Sequence, residues 1–162
     1  MRLEKEYKQE NNSMKKYYPD TYEIGIIRAF ATMCDTAVAL YHLDIIDLFE
    51  HLLKTDVFEE FMDLMGVYSQ ADTYIYHCFE EEFKTPVKEK NYDDELMYMY
   101  DSDVAYWMGY LLLSWHVQDD ISGTKLLETY SLNYMYNNYD VLHTTSIGYA
   151  IDMIKENGKL NT

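Results

Sequence analysis

The sequence predicts an all-α protein, and three observations support that prediction. Apolar residues recur at intervals of three and four along most of the chain, which places them on one face of a helix. The 162 residues include only two prolines and six glycines, too few for the many turns of a β-sandwich. Capping residues also precede several apolar runs. We therefore expect a compact multi-helix bundle, and the 48% of hydrophobic residues is ample for its core.

The N-terminal half divides into a polar arm, residues 1–18, and a helical subdomain, residues 19–83. The arm is rich in lysine and lacks a capping signal. The first helix is predicted to start after Asp20, an N-cap candidate, with Glu23 three residues on as its capping-box partner. Its apolar positions continue at helical spacing to about Tyr41.

Three shorter helices are predicted in the rest of this half. Asp44 caps the first of them, and Thr55 or Asp56 caps the second. The third starts within residues 69–72 and ends at about residue 83.

The second half begins after a predicted acidic, tyrosine-rich linker, residues 84–101. A second helical subdomain follows, residues 102–158. Its first helix is the most apolar of the chain and is predicted to run from about Ser102 to Val117, with Ser102 or Asp103 at its cap. Short helices and a last helix capped near residues 145–146 complete the half.

The two halves have similar apolar patterns when they are offset by about 75 residues. Residues 64–68 then fall on residues 139–143, and residues 73–75 fall on residues 148–150. Identity between the halves is low, so this is a weak repeat of pattern. It leaves open a bundle made of two similar helical subdomains.

Charge is the strongest global feature of the sequence. The net charge is −16, and it is uneven. Residues 1–16 hold five Lys or Arg and three Glu, whereas the remaining residues hold eight basic and 26 acidic side chains, a net of −18. Such a surface repels nucleic acid and anionic membranes and attracts a basic protein. We therefore expect a basic protein partner, no direct nucleic-acid binding and no membrane association.

The sequence indicates no catalytic or cofactor chemistry. No two of the five histidines lie four apart on one predicted helix, and no Cys-x-x-Cys occurs, so we expect no metal and no cofactor. Neither a nucleophile elbow nor a phosphate-binding loop is present. The N-terminus lacks the apolar region of a signal peptide, and no apolar run reaches the length of a membrane span. We expect a cytoplasmic protein that is not an enzyme.

Acidic and tyrosine residues are the candidate partner-binding residues. Residues 91–103 contain five acidic side chains, three tyrosines and two methionines but no basic residue. Tyrosine supplies a large contact area at low entropic cost, and carboxylates complement a basic surface. A second acidic pair follows the most apolar helix. The candidates are Asp93, Asp94, Glu95, Tyr98, Tyr100, Asp101, Asp103, Asp119 and Asp120.

Part of the second half resembles a known group of proteins. The residues that carry the resemblance are Trp115-His116, residues 122–127, residues 139–146, Tyr149 and Ile151. Over residues 105–154 the chain is similar to a family of small helical proteins from low-GC Gram-positive bacteria. Members are encoded beside ADP-ribosyltransferase-like toxins, which implies an antitoxin role. The family supplies no catalytic residues to carry over.

These observations favour a non-enzymatic, antitoxin-like inhibitor that occludes a basic cleft of a partner protein. The first alternative is an anti-defence protein of a phage or mobile element, such as an anti-CRISPR that mimics nucleic acid and inhibits a nuclease. A small helical enzyme is a further alternative and would need a concave pocket that holds His116 or His143 with a carboxylate of shifted pKa. A helical scaffold without inhibitory function is the last alternative.

Overall fold

The structure is a computed structural model and describes residues 19–64, 66 and 70–161. Nine α-helices form within these residues and no strand does, so the all-α prediction is confirmed. A short 3-10 turn, Phe61–Asp63, follows the third helix. The helices are α1 Thr21–Tyr41, α2 Ile45–Leu52, α3 Asp56–Glu60, α4 Asp72–Glu80, α5 Glu95–Asp119, α6 Gly123–Thr129, α7 Leu132–Asn137, α8 Tyr139–Leu142 and α9 Ile147–Asn157.

The caps of the first three helices agree with the sequence. Asp20 Oδ1 accepts a hydrogen bond from the Glu23 backbone N–H at 2.8 Å, and Glu23 Oε1 accepts one from the Asp20 N–H at 3.4 Å. This reciprocal pair is the predicted capping box. Asp44 and Thr55 cap α2 and α3, since each side chain accepts a hydrogen bond from the backbone N–H three residues on. These predictions hold because a cap depends on residues three positions apart.

The start of α5 was predicted wrongly. The helix begins at Glu95, with Asp94 as its N-cap, rather than near Ser102. Ser102 lies inside the helix, where its hydroxyl donates to the Met99 carbonyl oxygen at 2.9 Å. Asp103 is likewise an interior residue. The last seven residues of the predicted linker, 95–101, are therefore helical and extend α5 to 25 residues.

Helices α1 and α5 form the centre of the molecule and pack closely. A Cβ atom at Gly109 of α5 would lie 3.0 Å from Cys34 Sγ and 3.2 Å from Ala31 Cα of α1. The missing side chain thus lets the two backbones approach. Cys34 is buried at this crossing, and burial raises the pKa of its thiol. It acts as a small apolar residue.

The apolar side chains of both halves join in one contiguous core. Four phenylalanine rings of the first half cluster with centroid separations of 5.3–5.8 Å; they are Phe30, Phe58, Phe61 and Phe79. Phe58 also lies 5.0 Å from the His116 ring of α5. Gly123 contacts the Leu53 carbonyl oxygen, and its N–H donates to Glu59 Oε1 at 2.7 Å. The second half is therefore tied to the first by packing and by hydrogen bonds.

The order of elements is similar in the two halves. A long helix, α1 or α5, is followed by two short helices and then by a closing helix, α4 or α9. The second half has the additional short helix α8. The predicted arm and residues 65 and 67–69 of the pattern repeat lie outside the described residues. The subdomain division itself stays a prediction.

Helix α1 is the one helix of the described chain that is long and apolar enough to cross a membrane. Eight of its side chains are buried in the core, among them Ile26, Ile27, Phe30 and Val38. A core helix of a soluble protein has the same composition, so the apolar character of α1 follows from its packing against the rest of the bundle.

Candidate partner-binding surface

The predicted site residues lie at opposite ends of α5. Asp93, Asp94 and Glu95 stand at its start, where Asp94 Oδ1 accepts the Leu96 N–H at 3.0 Å. Asp119 and Asp120 stand at its end. A rise of 1.5 Å per residue separates Glu95 from Asp119 by about 36 Å. The structure therefore does not bring the nine residues into one patch.

Asp101 was expected to be an accessible binding residue, and this was wrong. Its side chain is 1% exposed. The carboxylate accepts hydrogen bonds from Tyr136 at 2.6 Å, from Tyr92 at 2.8 Å and from the Lys90 ammonium group at 3.1 Å. We call these four residues the Asp101 cluster. Burial and the Asp101 carboxylate raise the pKa of both tyrosines, which keeps their hydroxyls protonated as donors.

The acidic pair at the end of α5 is only partly free. Asp119 Oδ2 lies 2.7 Å from Lys155 Nζ and accepts the Trp115 indole N–H at 2.9 Å. Its charge is thus committed within the fold. Asp120 is exposed and ends the helix in the left-handed conformation with a φ of 50°. Aspartate tolerates that conformation better than most residues do, which gives Asp120 a local structural role.

The side chains of Tyr98 and Tyr100 are partly buried and partly exposed to solvent. The Tyr98 ring stacks on His42 with centroids 4.9 Å apart. The Tyr100 hydroxyl donates to Asp140 at 3.0 Å, and its ring meets the edge of Tyr139 at 5.7 Å. Replacing either by alanine would disturb packing, so these two are poor probes of binding alone.

Exposed apolar side chains flank the acidic start of α5. Leu96 is 69% exposed, and Met97 and Met99 are about half exposed. Exposed apolar side chains that adjoin one another and are rimmed by charge are characteristic of protein interfaces. We call Asp93, Asp94, Glu95, Leu96, Met97 and Met99 the α5 N-terminal surface.

One face of α5 extends from this surface along the helix. Its residues are spaced at three and four, which places them on one side of a helix. From Leu96 to Tyr110 the face is about 21 Å long. We call it the α5 stripe, and it consists of Leu96, Met99, Tyr100, Asp103, Tyr106, Trp107 and Tyr110.

The far part of the α5 stripe lines a groove of about 540 Å³. We call this the aromatic groove. Residues of α1, α5 and α8 and of the turn into α9 form it; they are Asp35, Asp103, Tyr106, Trp107, Tyr110, Tyr139, His143, Thr145, Ser146 and Ile147. Asp103 is the one predicted site residue in the groove.

Among the described residues, the aromatic groove is lined by two carboxylates and by no lysine or arginine. Burial raises the pKa of Asp35, and the charges of Asp103 and Asp72 raise it further, whereas a hydrogen bond from Ser102 opposes the shift. The pKa of Tyr139 is also raised by burial and by Asp103. Within the described chain, no cationic side chain pairs with Asp35 or Asp103. The groove therefore concentrates negative charge that no cation of the described residues compensates.

His143 contributes the imidazole ring that lines the aromatic groove. Its ring stacks on Tyr139 with centroids 4.3 Å apart, and its Nδ1 lies 2.7 Å from the Tyr139 carbonyl oxygen. That contact fixes Nδ1–H as the donor and keeps the turn before α9 in place. The alternative that the protein is a small helical enzyme requires a concave pocket that holds His116 or His143 together with a carboxylate of shifted pKa. Both are here, but neither Asp35 nor Asp103 is hydrogen-bonded to the imidazole.

The described residues include no group of three or more His, Cys, Asp or Glu that could hold a metal ion. A second groove of about 450 Å³ lies between α2 and the chain after α4. Its charged residues have both signs, and Glu82 is engaged there by the N–H groups of Asp56 and Val57 at 2.9 and 3.0 Å. The lining of that second groove therefore favours neither an anionic nor a cationic ligand.

Asp35, Tyr106 and Tyr110 were missed as site residues. The tyrosines had a usable signal, because Asp103, Tyr106 and Tyr110 recur at three and four along one helix. Asp35 had none, since its place opposite Asp103 depends on how α1 crosses α5.

Comparison with known proteins gives no match: no family model, no curated protein and no solved structure is similar to this chain. The resemblance to antitoxin-like proteins therefore stays an expectation.

Proposed function

We propose that this protein is a non-enzymatic inhibitor that acts in the cytoplasm. It binds a basic protein and covers the basic cleft of that partner. The observation that carries the proposal is the α5 stripe. It joins exposed apolar side chains, Leu96 and Met99, to an acidic aromatic groove along about 21 Å of one helix. A stripe of this length suits one side of a protein interface.

Charge supports a basic partner rather than a second copy of this chain. The net charge is −16, and beyond residue 16 the sequence has Arg28 as its single arginine. Two copies would repel each other, whereas a basic surface would be attracted over a distance of about 10 Å at ordinary ionic strength. The apolar part of the α5 N-terminal surface would then slow dissociation.

Two kinds of partner fit this chemistry. A toxin of the ADP-ribosyltransferase type has to bind an anionic nucleotide, and a defence nuclease has to bind nucleic acid, so each presents a basic cleft. The resemblance of residues 105–154 favours the toxin. Mimicry of nucleic acid is the alternative, and it predicts carboxylates spaced like phosphates on one face of the protein.

The experiment is a pull-down from host lysate with tagged protein at low and at moderate salt. The test variant is Asp93→Asn/Asp94→Asn/Glu95→Gln, which removes three charges and keeps a good N-cap at position 94. The control variant is Glu60→Gln/Glu128→Gln/Glu156→Gln, which removes three exposed charges elsewhere.

We expect the wild type and the control to retain one basic protein in stoichiometric amount, and the test variant to lose it. The retained protein should be released as salt rises. Its identity, toxin or nuclease, separates the two kinds of inhibitor. A column that stays empty for the wild type at both salt concentrations would contradict the proposal.

A further inference from the structure

We propose that the aromatic groove binds a guanidinium group, presented by an arginine side chain of the protein partner. The groove places the rings of Tyr106, Tyr110 and Tyr139 beside the carboxylates of Asp35 and Asp103. Aromatic faces attract cations, and arginine stacks on them more readily than lysine does. The source of the arginine rests on the proposed function, but the affinity of the groove for a guanidinium group does not.

The charges around the groove exclude an anion. Two carboxylates lie in its wall, and none of the lysines and arginines that the structure describes does. The N-terminus of α9 also borders the groove, with Ser146 as its cap, and it carries about half a positive charge. Half a charge does not offset two carboxylates, so the field in the groove remains negative.

A neutral apolar ligand is also disfavoured. Such a ligand would remove water from Asp35 and Asp103 without replacing the lost hydrogen bonds, and burying an unpaired carboxylate is costly. A guanidinium group restores those bonds because it has five N–H donors in a planar fork. The raised pKa of Asp35 has the same origin, since its carboxylate is half-buried and lies near the carboxylates of Asp103 and Asp72.

The hydroxyls and rings of the groove have unused binding capacity. Within the described part of the chain, the hydroxyls of Tyr106 and Tyr110 make no hydrogen bond to another residue, and their rings lie 6.5 Å apart with an interplanar angle of 30°. Trp107 is held edge-on against Tyr139 at 5.6 Å, which keeps that wall rigid. The volume of about 540 Å³ is within the range of small-ligand sites.

The position of the groove on α5 matches a partner already bound at the α5 N-terminal surface. Asp103 lies two turns after Leu96 on the same face, so about 10 Å separate the apolar contact from the groove. A partner seated on Leu96 and Met99 can therefore insert an arginine without a change in the backbone. The groove acts as the central pocket of the interface, where one anchoring side chain contributes most of the affinity.

The test uses the whole protein and a small probe, N-acetyl-arginine amide, followed by the NMR shift of the Trp107 indole N–H. The matched probe is N-acetyl-citrulline amide, which has nearly the same shape without the charge. We expect the arginine probe to bind at least about tenfold more tightly than the citrulline probe. Equal shifts from both probes would overturn the proposal.

Single-residue variants test whether the arginine probe binds in the aromatic groove. Asp103→Asn and Tyr110→Leu should each weaken the arginine probe at least about threefold, whereas the exposed Glu128→Gln should leave it unchanged. Unchanged binding in Asp103→Asn would overturn the site. If spermidine binds more tightly than the arginine probe, the groove recognises a free amine, and the proposal that it binds an arginine side chain is overturned.

Failure of this proposal and failure of the proposed function give different results. If the groove binds the arginine probe but no partner is captured, the inhibitor proposal fails and the groove stands. If a partner is captured equally well by Asp103→Asn and by the wild type, the groove proposal fails and the inhibitor stands.

Discussion

The Tyr136 hydroxyl of α7 donates a 2.6 Å hydrogen bond to Asp101 Oδ1 of α5. It joins a short helix of the second half to the second turn of the central helix, where Asp101 is buried. Lys90, which precedes α5, approaches the other oxygen of the same carboxylate at 3.1 Å. One carboxylate therefore fixes three segments of the chain.

Substitution of Asp101 by asparagine should destabilise the protein by about 3 kcal/mol, because it leaves Lys90 and a tyrosine hydroxyl without their acceptor. Urea unfolding measures this change. The control is Asp103→Asn, an exposed residue on the same helix, for which we expect a change within about 0.5 kcal/mol. Similar stability of both variants would show that the Asp101 cluster contributes little.

Asp35→Asn should make the protein more stable at pH 7. The pKa of Asp35 is raised in the folded state, so between the ordinary value and the raised one the folded state binds more protons than the unfolded state. Stability therefore falls as pH rises through that interval, and the deficit persists above it. Asparagine removes the deficit, and we expect the Tm at pH 7 to rise by about 2 °C.

The control for Asp35→Asn is Glu128→Gln, which removes one exposed charge and accounts for the general relief of repulsion. Thermal unfolding of both variants at pH 4 and pH 7 gives the comparison. The gain for Asp35→Asn should shrink at the lower pH. A gain at pH 7 no larger than that of Glu128→Gln would contradict the electrostatic description of the groove.

Gly109→Ala should destabilise the protein by about 1–3 kcal/mol, because the new Cβ would press on Cys34 and Ala31 at the α1–α5 crossing. Gly25→Ala is the matched control in α1. A Cβ there meets no atom within 4 Å, so alanine should add up to about 1 kcal/mol of helix stability. If a denaturant titration shows that Gly109→Ala lowers the free energy of unfolding and Gly25→Ala raises it, the close crossing is confirmed. Changes of the same sign in both variants would refute it.

Leu96→Ala/Met99→Ala should weaken partner binding at least about tenfold, which corresponds to about 1.4 kcal/mol. Both side chains are at least half exposed, so the free energy of unfolding should change by less than about 0.5 kcal/mol. The control is Leu40→Ala, since Leu40 is 59% exposed at the end of α1 and lies off the α5 stripe. Calorimetry with the captured partner measures both variants. If Leu96→Ala/Met99→Ala binds the partner as tightly as the wild type does, these two side chains do not contribute an apolar contact to the interface.

Local signals in the sequence predicted what depends on neighbouring residues. Asp20 and Glu23 form a capping box, and Asp44 accepts a hydrogen bond from the Asp47 backbone N–H three residues on. Ser102 and Asp103 resembled a cap equally well and are interior to α5. What decides their place is Asp101, whose three partners come from other segments. Tertiary contacts of this kind override local preference.

The candidate site shows the same limit. The acidic start of α5 was visible in composition, and Asp93, Asp94 and Glu95 are exposed there. Asp101 had the same chemistry in sequence and is buried. The aromatic groove needs Asp35 from α1 and Tyr139 from α8, and no spacing rule connects those residues before the helices are packed.

The association rate of this protein with its captured partner, measured as a function of salt, shows whether acidic residues steer binding. If acidic residues steer the encounter, the rate constant should fall at least about tenfold between 20 and 300 mM salt. Asp93→Asn/Asp94→Asn/Glu95→Gln should flatten that dependence more than Glu60→Gln/Glu128→Gln/Glu156→Gln does. An association rate that is indifferent to salt would contradict the claim that a basic protein is bound through this acidic surface.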